Sequence, residues 1–169
     1  MKLINTTKII AAGAFCMLAM PAFTQSVKAA GPVQVQGAWV RATVAGQTST
    51  GAFMRITATG GAKLVGVSSP VAGVAEVHEM KMEGDIMRMR AVPVLDLPAG
   101  QTVRFKPGGY HVMLMDLKQS LPKDSQVPMT LRFQDAKGNE TRLEFTLPVS
   151  MAAPGQAVEK AGQHGARKQ

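Results

Sequence analysis

The chain has 169 residues, of which 46% are hydrophobic, 18% charged and 5% aromatic; that suits one globular domain with a short extra segment. Twelve Met stand against one Cys and three His, which excludes a disulfide scaffold and any Cys-based zinc or iron–sulfur site. The formal charge of +8 raises a nucleic-acid partner, but the basic residues are scattered among acids and no aromatics interleave with them, so that class is excluded too.

Residues 1–29 have the pattern of a cleaved secretory signal. Lys2 and Lys8 give a basic start, Ile9 to Phe23 an apolar stretch, and Val27-Lys28-Ala29 a small-residue cleavage site before Ala30. The apolar stretch is shorter than the roughly 20 residues of a spanning helix, and Gly13 and Pro21 weaken it further as an anchor. A lipid anchor would use Cys16, yet bulky Phe15 precedes it and it lies inside the apolar run. Cleavage removes three Lys and the only Cys, so the expected mature protein carries +5 and no thiol. An exported, periplasmic protein of that kind does no thiol chemistry and needs no oxidase to fold.

From 33 to 149 no helical period persists. Short alternating or β-branched runs recur, divided by Gly, Pro and Ser clusters. They predict strands near 33–41, 52–59, 62–68, 74–82, 86–92, 101–106, 111–117, 127–134 and 140–147. Such a series predicts an all-β domain over residues 30–149, an antiparallel Greek-key β-sandwich or barrel. Small and polar residues dominate 150–169, which predicts a disordered C-terminal tail.

Six of the nine methionines left after cleavage fall between 78 and 115, together with two of the three histidines. Gly84-Asp85 suits a two-residue hairpin turn. In that register Met82 faces Met87 and Met80 faces Met89, on one side of the ribbon, and His78 shares that side. Glu79, Lys81, Arg88 and Arg90 take the other. Further on, His111, Met113 and Met115 alternate onto one face of another strand. Met54 and Met129 are assigned to packing; Met82, Met87 and Met115 fit either a second sulfur shell or an apolar lip around the site, and the lip is favoured.

Each of these residues has an ordinary explanation by itself, since Met fills cores and a strand His usually makes hydrogen bonds. Together they suit a metal. Neutral thioethers and imidazoles favour Cu(I) over Zn(II), Mg(II) or Ca(II). A site of His78, Met89, His111 and Met113 would offer two nitrogen and two sulfur donors and no anion.

At these residues the chain resembles the periplasmic copper chaperones of the PCuAC family. Their signature is His, ten residues, Met, twenty-one residues, then His-x-Met; His78, Met89, His111 and Met113 match it, and Met80 matches an optional Met. Ala38-Trp39-Val40-Arg41-Ala42, Leu64 to Pro70 and Pro107 to Met115 extend the similarity across 33–149. The resemblance implies a cupredoxin-like fold, Cu(I) held by the four named residues, and delivery toward cytochrome c oxidase. The expected acceptor is an oxidase subunit or a Sco-type thiol protein, with the chaperone acting as a monomer without a stable membrane anchor. Some members carry a His/Met-rich tail that takes Cu(II); this tail offers only Met151 and His164.

Two other classes make different predictions. An electron-transfer or oxidase-type copper protein needs a thiolate or a His-rich site, which the mature chain lacks. A metal-free β-sandwich for adhesion or scaffolding would bind no stoichiometric copper, and a storage protein would bind it without handing it on. No nucleophile elbow, paired carboxylates at helix spacing or metalloprotease motif points to an enzyme.

Overall fold

A computed structural model describes residues 32–154, together with the backbone of residues 27–30. The expected signal through residue 26, including Cys16, and the tail from residue 155, including His164, lie outside the described residues. Among the described residues no helix is long and apolar enough to cross a membrane.

Eleven strands make up the described chain: β1 Val27–Ala30, β2 Val33–Arg41, β3 Thr50–Ala58, β4 Ala62–Ser68, β5 Ala72–Glu83 and β6 Ile86–Ala91, followed by β7 Leu95–Leu97, β8 Thr102–Phe105, β9 Tyr110–Leu117, β10 Gln126–Gln134 and β11 Glu140–Ser150. Hydrogen bonding links them in the order β6-β5-β9-β8-β3-β2-β11-β10-β4-β7, with β1 added to β2. The architecture is the expected cupredoxin-like all-β fold. It is not wholly antiparallel, however. β11 meets β2 in parallel at Val149 and Val40, and β8 meets β9 in parallel at Phe105 and Tyr110.

β11 is where the sheet turns back on itself. Along its length it pairs with β10 from Gln126↔Pro148 to Gln134↔Glu140, and only its last residues reach β2. One buried cluster takes side chains from both halves: Val35, Ile56, Val112 and Leu114 on one side, Leu64, Leu131, Phe133 and Leu147 on the other. The alternation of β10 and β11 produces this directly, because every second side chain points inward. Each large side chain buried there contributes about 1.5–3 kcal/mol by leaving water. Met54 and Met129 sit in this core, as their surroundings in the sequence indicate.

The differences from the sequence-based expectations are local. β7 is only three residues, with Leu95 and Leu97 buried around exposed Asp96, and the prolines at 93 and 98 disguise so short a strand. β1 pairs antiparallel with Val33–Gln36 of β2; the cut expected before Ala30 would remove three of its four residues. β11 runs on through Ser150, so the last strand takes in the first residue assigned to the tail.

Candidate metal centre

The local chemistry of the β5–β6 hairpin sets the site's register. Gly84 has φ +62, which a side-chain-bearing residue adopts only with strain, and the Gly84-Asp85 turn fits the right-handed twist of the two strands. Glu83 pairs with Ile86, Met82 with Met87, Met80 with Met89 and His78 with Ala91. On the other edge of β5, β9 brings His111 opposite His78, Met113 opposite Glu76 and Met115 opposite Val74.

Side chains alternate along a strand, so Glu76, His78, Met80 and Met82 share one face with Met87, Met89, His111 and Met113. Val77, Val112 and Leu114 take the opposite face and are buried in the core. At the hairpin the reverse face is charged. The Glu83 carboxylate accepts from Arg88 Nε at 3.0 Å and also pairs with Arg90.

Met80, Met89, His111 and Met113 line one cavity of about 280 Å³. Its other wall comes from β2, β3 and the loop between them, including Arg41, Thr50, Gly51 and Phe53. Gly51 pairs with Met113, and a Cβ there would come within 2.9 Å of the tip of the Phe53 ring. Phe53 cannot easily yield, because it is buried against Trp39 with ring centroids 4.8 Å apart. Arg41 stacks over Phe53 at 5.5 Å, an exposed cation–π contact of about 0.5–1 kcal/mol.

His78 lies beside this cavity rather than in its lining. Its ring centroid is 5.9 Å from that of His111, in an edge-to-face arrangement. The hydrogen bonds of the two rings fix their tautomers. A carboxylate can only accept, so His78 Nε2–H donates to Glu76 Oε2 at 2.9 Å. The neutral ring then carries its lone pair on Nδ1, which is buried and has no hydrogen-bond partner. His111 Nδ1–H donates to the Gly109 carbonyl at 3.0 Å, leaving the lone pair on Nε2.

An unpaired buried acceptor costs about 1–3 kcal/mol. The usual role of a strand histidine therefore accounts for only one of the two nitrogens of His78. The pattern is that of a metal-ligating imidazole, whose remote N–H is held by a carboxylate or carbonyl while the other nitrogen faces the ion. Among the described residues, no group of three or more His, Cys, Asp or Glu could hold a metal ion, and the further soft donors in the cavity beside the two imidazoles are the thioethers of Met80, Met89 and Met113.

Next to His111, Tyr110 packs on Phe105 with centroids 6.2 Å apart. Burial, followed by the charge and hydrogen bond of Glu79, pushes its phenol above the usual value of 10.0. Met89 is 48% exposed, so one thioether side chain of the cavity wall is partly open to an incoming molecule.

The sequence-based site omits Glu76, Arg41, Gly51 and Phe53. Glu76 was within reach, since it stands two residues before His78 on an alternating strand. The other three arrive through the long-range pairing of β2, β3 and β9, which leaves no local signal.

Comparison with known proteins follows the same lines. Residues 33–149 match a protein family described as "Putative lipoprotein LpqE-like". The chain is 37% identical over 122 residues to the "Putative lipoprotein Lxx21020" of Leifsonia xyli subsp. xyli (strain CTCB07), covering 71% of this chain and 74% of that relative. It is similar to a copper-bound PCuAC domain from PmoF2, with a TM-score of 0.58 and 25% identity over 75% of this chain and 99% of that one. It is also similar to the CuI-DR1885 solution structure from Deinococcus radiodurans, with a TM-score of 0.52 and 29% identity over 80% of this chain and 82% of that one. With its domain matched from the first strand of the core to the last, the chain belongs to the LpqE-like family and has the fold of PCuAC domains.

Proposed function

We propose that this protein is a non-catalytic copper carrier that binds Cu(I) through His78, Met89, His111 and Met113, with Met80 as an additional donor. The observation that carries this is the buried, unpartnered Nδ1 of His78, beside His111 and a cavity wall of thioethers. The copper-bound PCuAC domain and CuI-DR1885 have the same fold, which supports copper as the cargo.

The donor set suits transfer as well as binding. Thioethers and neutral imidazoles are soft or borderline donors without charge, so they hold Cu(I) without requiring a change of oxidation state. They bind it less strongly than thiolates, and an acceptor bearing Cys can draw the ion away by stepwise ligand exchange. The exposure of Met89 makes it the natural first ligand to leave. The acceptor fitting this chemistry is a Sco-type thiol protein or a copper-site subunit of cytochrome c oxidase.

The exchange would take place in the periplasm after removal of residues 1–29. Export is supported by the apolar leader and by the lipoprotein description of the family.

Anaerobic Cu(I) competition titration against a chromogenic chelator tests the site. His111→Ala and Met113→Ala should each weaken binding by at least about tenfold, while the melting transition stays cooperative. Wild-type affinity in a folded His111→Ala protein would contradict the assigned site.

A further inference from the structure

The sulfur face of the hairpin continues past the proposed site. Beyond the Met80–Met89 pair, Met82 stands opposite Met87 at the last position before the residues that close the turn. Directly opposed side chains on such a ribbon have Cβ atoms about 4.5–5.5 Å apart, a span that two flexible thioether arms can bridge through one ion. Met82 is 55% exposed and Met87 49%, so core packing does not account for them.

An exposed strand position favours β-branched or aromatic residues. Met instead brings a flexible chain whose rotamer freedom is costly to restrict, together with a soft sulfur. The pair also sits one step from the cavity, because neighbouring side chains on one face of a strand are about 6.6 Å apart. From the tip inward the order is thus Met82 and Met87, then Met80 and Met89, then the two imidazoles. The reverse face steadies this arrangement, as Glu83 ties together Arg88 and Arg90.

We infer that Met82 and Met87 form a second, weaker Cu(I) site at the hairpin tip, from which the ion passes to and from the inner donors. The inference rests on the copper-binding function proposed above. Two neutral thioethers suffice for a closed-shell ion that tolerates low coordination, and they bind it less firmly than the mixed imidazole–thioether set. Passage between the sites is ligand exchange: a Cu–S bond to Met82 or Met87 forms as one to Met80 or Met89 breaks. Copper remains Cu(I), and no proton or electron moves.

Anaerobic titration of the full chain with Cu(I), followed by NMR of 13C-methyl methionine, tests the inference. The Met89 and Met113 methyls should shift with the first equivalent, and the Met82 and Met87 methyls only with the second. The double variant Met82→Leu/Met87→Leu keeps an apolar surface without sulfur. It should lose the second ion and keep wild-type affinity for the first. The second site is overturned if the Met82 and Met87 methyls stay still, if the double variant retains the second ion, or if its affinity for the first ion falls. Stationary Met89 and Met113 methyls at the first equivalent would instead overturn the inner site, and the tip site with it.

Discussion

In the proposed site, Glu76 would prepare His78 as a ligand without binding the metal itself. Its carboxylate accepts from His78 Nε2–H at 2.9 Å, fixes the tautomer and leaves the lone pair on the buried Nδ1. It also brings negative charge near a donor set that has none. Outer carboxylates of this kind are worth about 10–100-fold in metal affinity. Glu76→Ala should therefore weaken Cu(I) binding by about that factor, and Glu76→Gln, which keeps an accepting oxygen, should recover most of it. Equal affinities for Glu76→Ala and wild type in the competition titration would remove Glu76 from this role. Gly51 serves the site differently, by leaving room: its missing side chain makes space for the Phe53 ring that lines the cavity wall.

Among the elements, the two long hairpins owe their registers to their turns. At β5–β6 the Gly84-Asp85 turn makes the register legible from sequence: Met80 opposite Met89 and Met82 opposite Met87 follow from the turn and strand alternation. At β10–β11, Asp135 holds the connection together. Its carboxylate accepts from the backbone N–H groups of Lys137 and Asn139 and from the Asn139 side chain. The Asn139 side chain, chiefly, lowers its pKa below 3.8. A depressed carboxylate contributes stability that is fully present above its unfolded value and lost as pH falls through the folded one. Asp135→Ala should therefore lower the melting temperature at neutral pH, and the gap from wild type should close below pH 3.8. A gap that stays constant down to strong acid would show that the turn does not depend on this charge.

Across the whole molecule, the site exists because distant strands meet. The spacing of His78, Met89, His111 and Met113 marks the four positions in the sequence, and strand alternation predicts that each cluster shares a face. Neither signal brings Arg41 and Phe53 to the opposite wall. That wall depends on β2 pairing with β3 and β3 with β9, contacts set by the shared core rather than by local residue preferences. The same holds for β1 and β7, which are too short to carry a period and gain their order from longer neighbours. The closure of the sheet through the end of β11 is likewise a property of the packed whole.

The fold's contribution is therefore to place two tautomer-fixed imidazoles beside a wall of thioethers, one of them half-exposed. The central claim is that these groups hold Cu(I). X-ray absorption on the anaerobically loaded protein at one equivalent of copper tests it most directly. A Cu(I) edge with a mixed nitrogen and sulfur first shell is the predicted result, and a shell of oxygen and nitrogen without sulfur would contradict it.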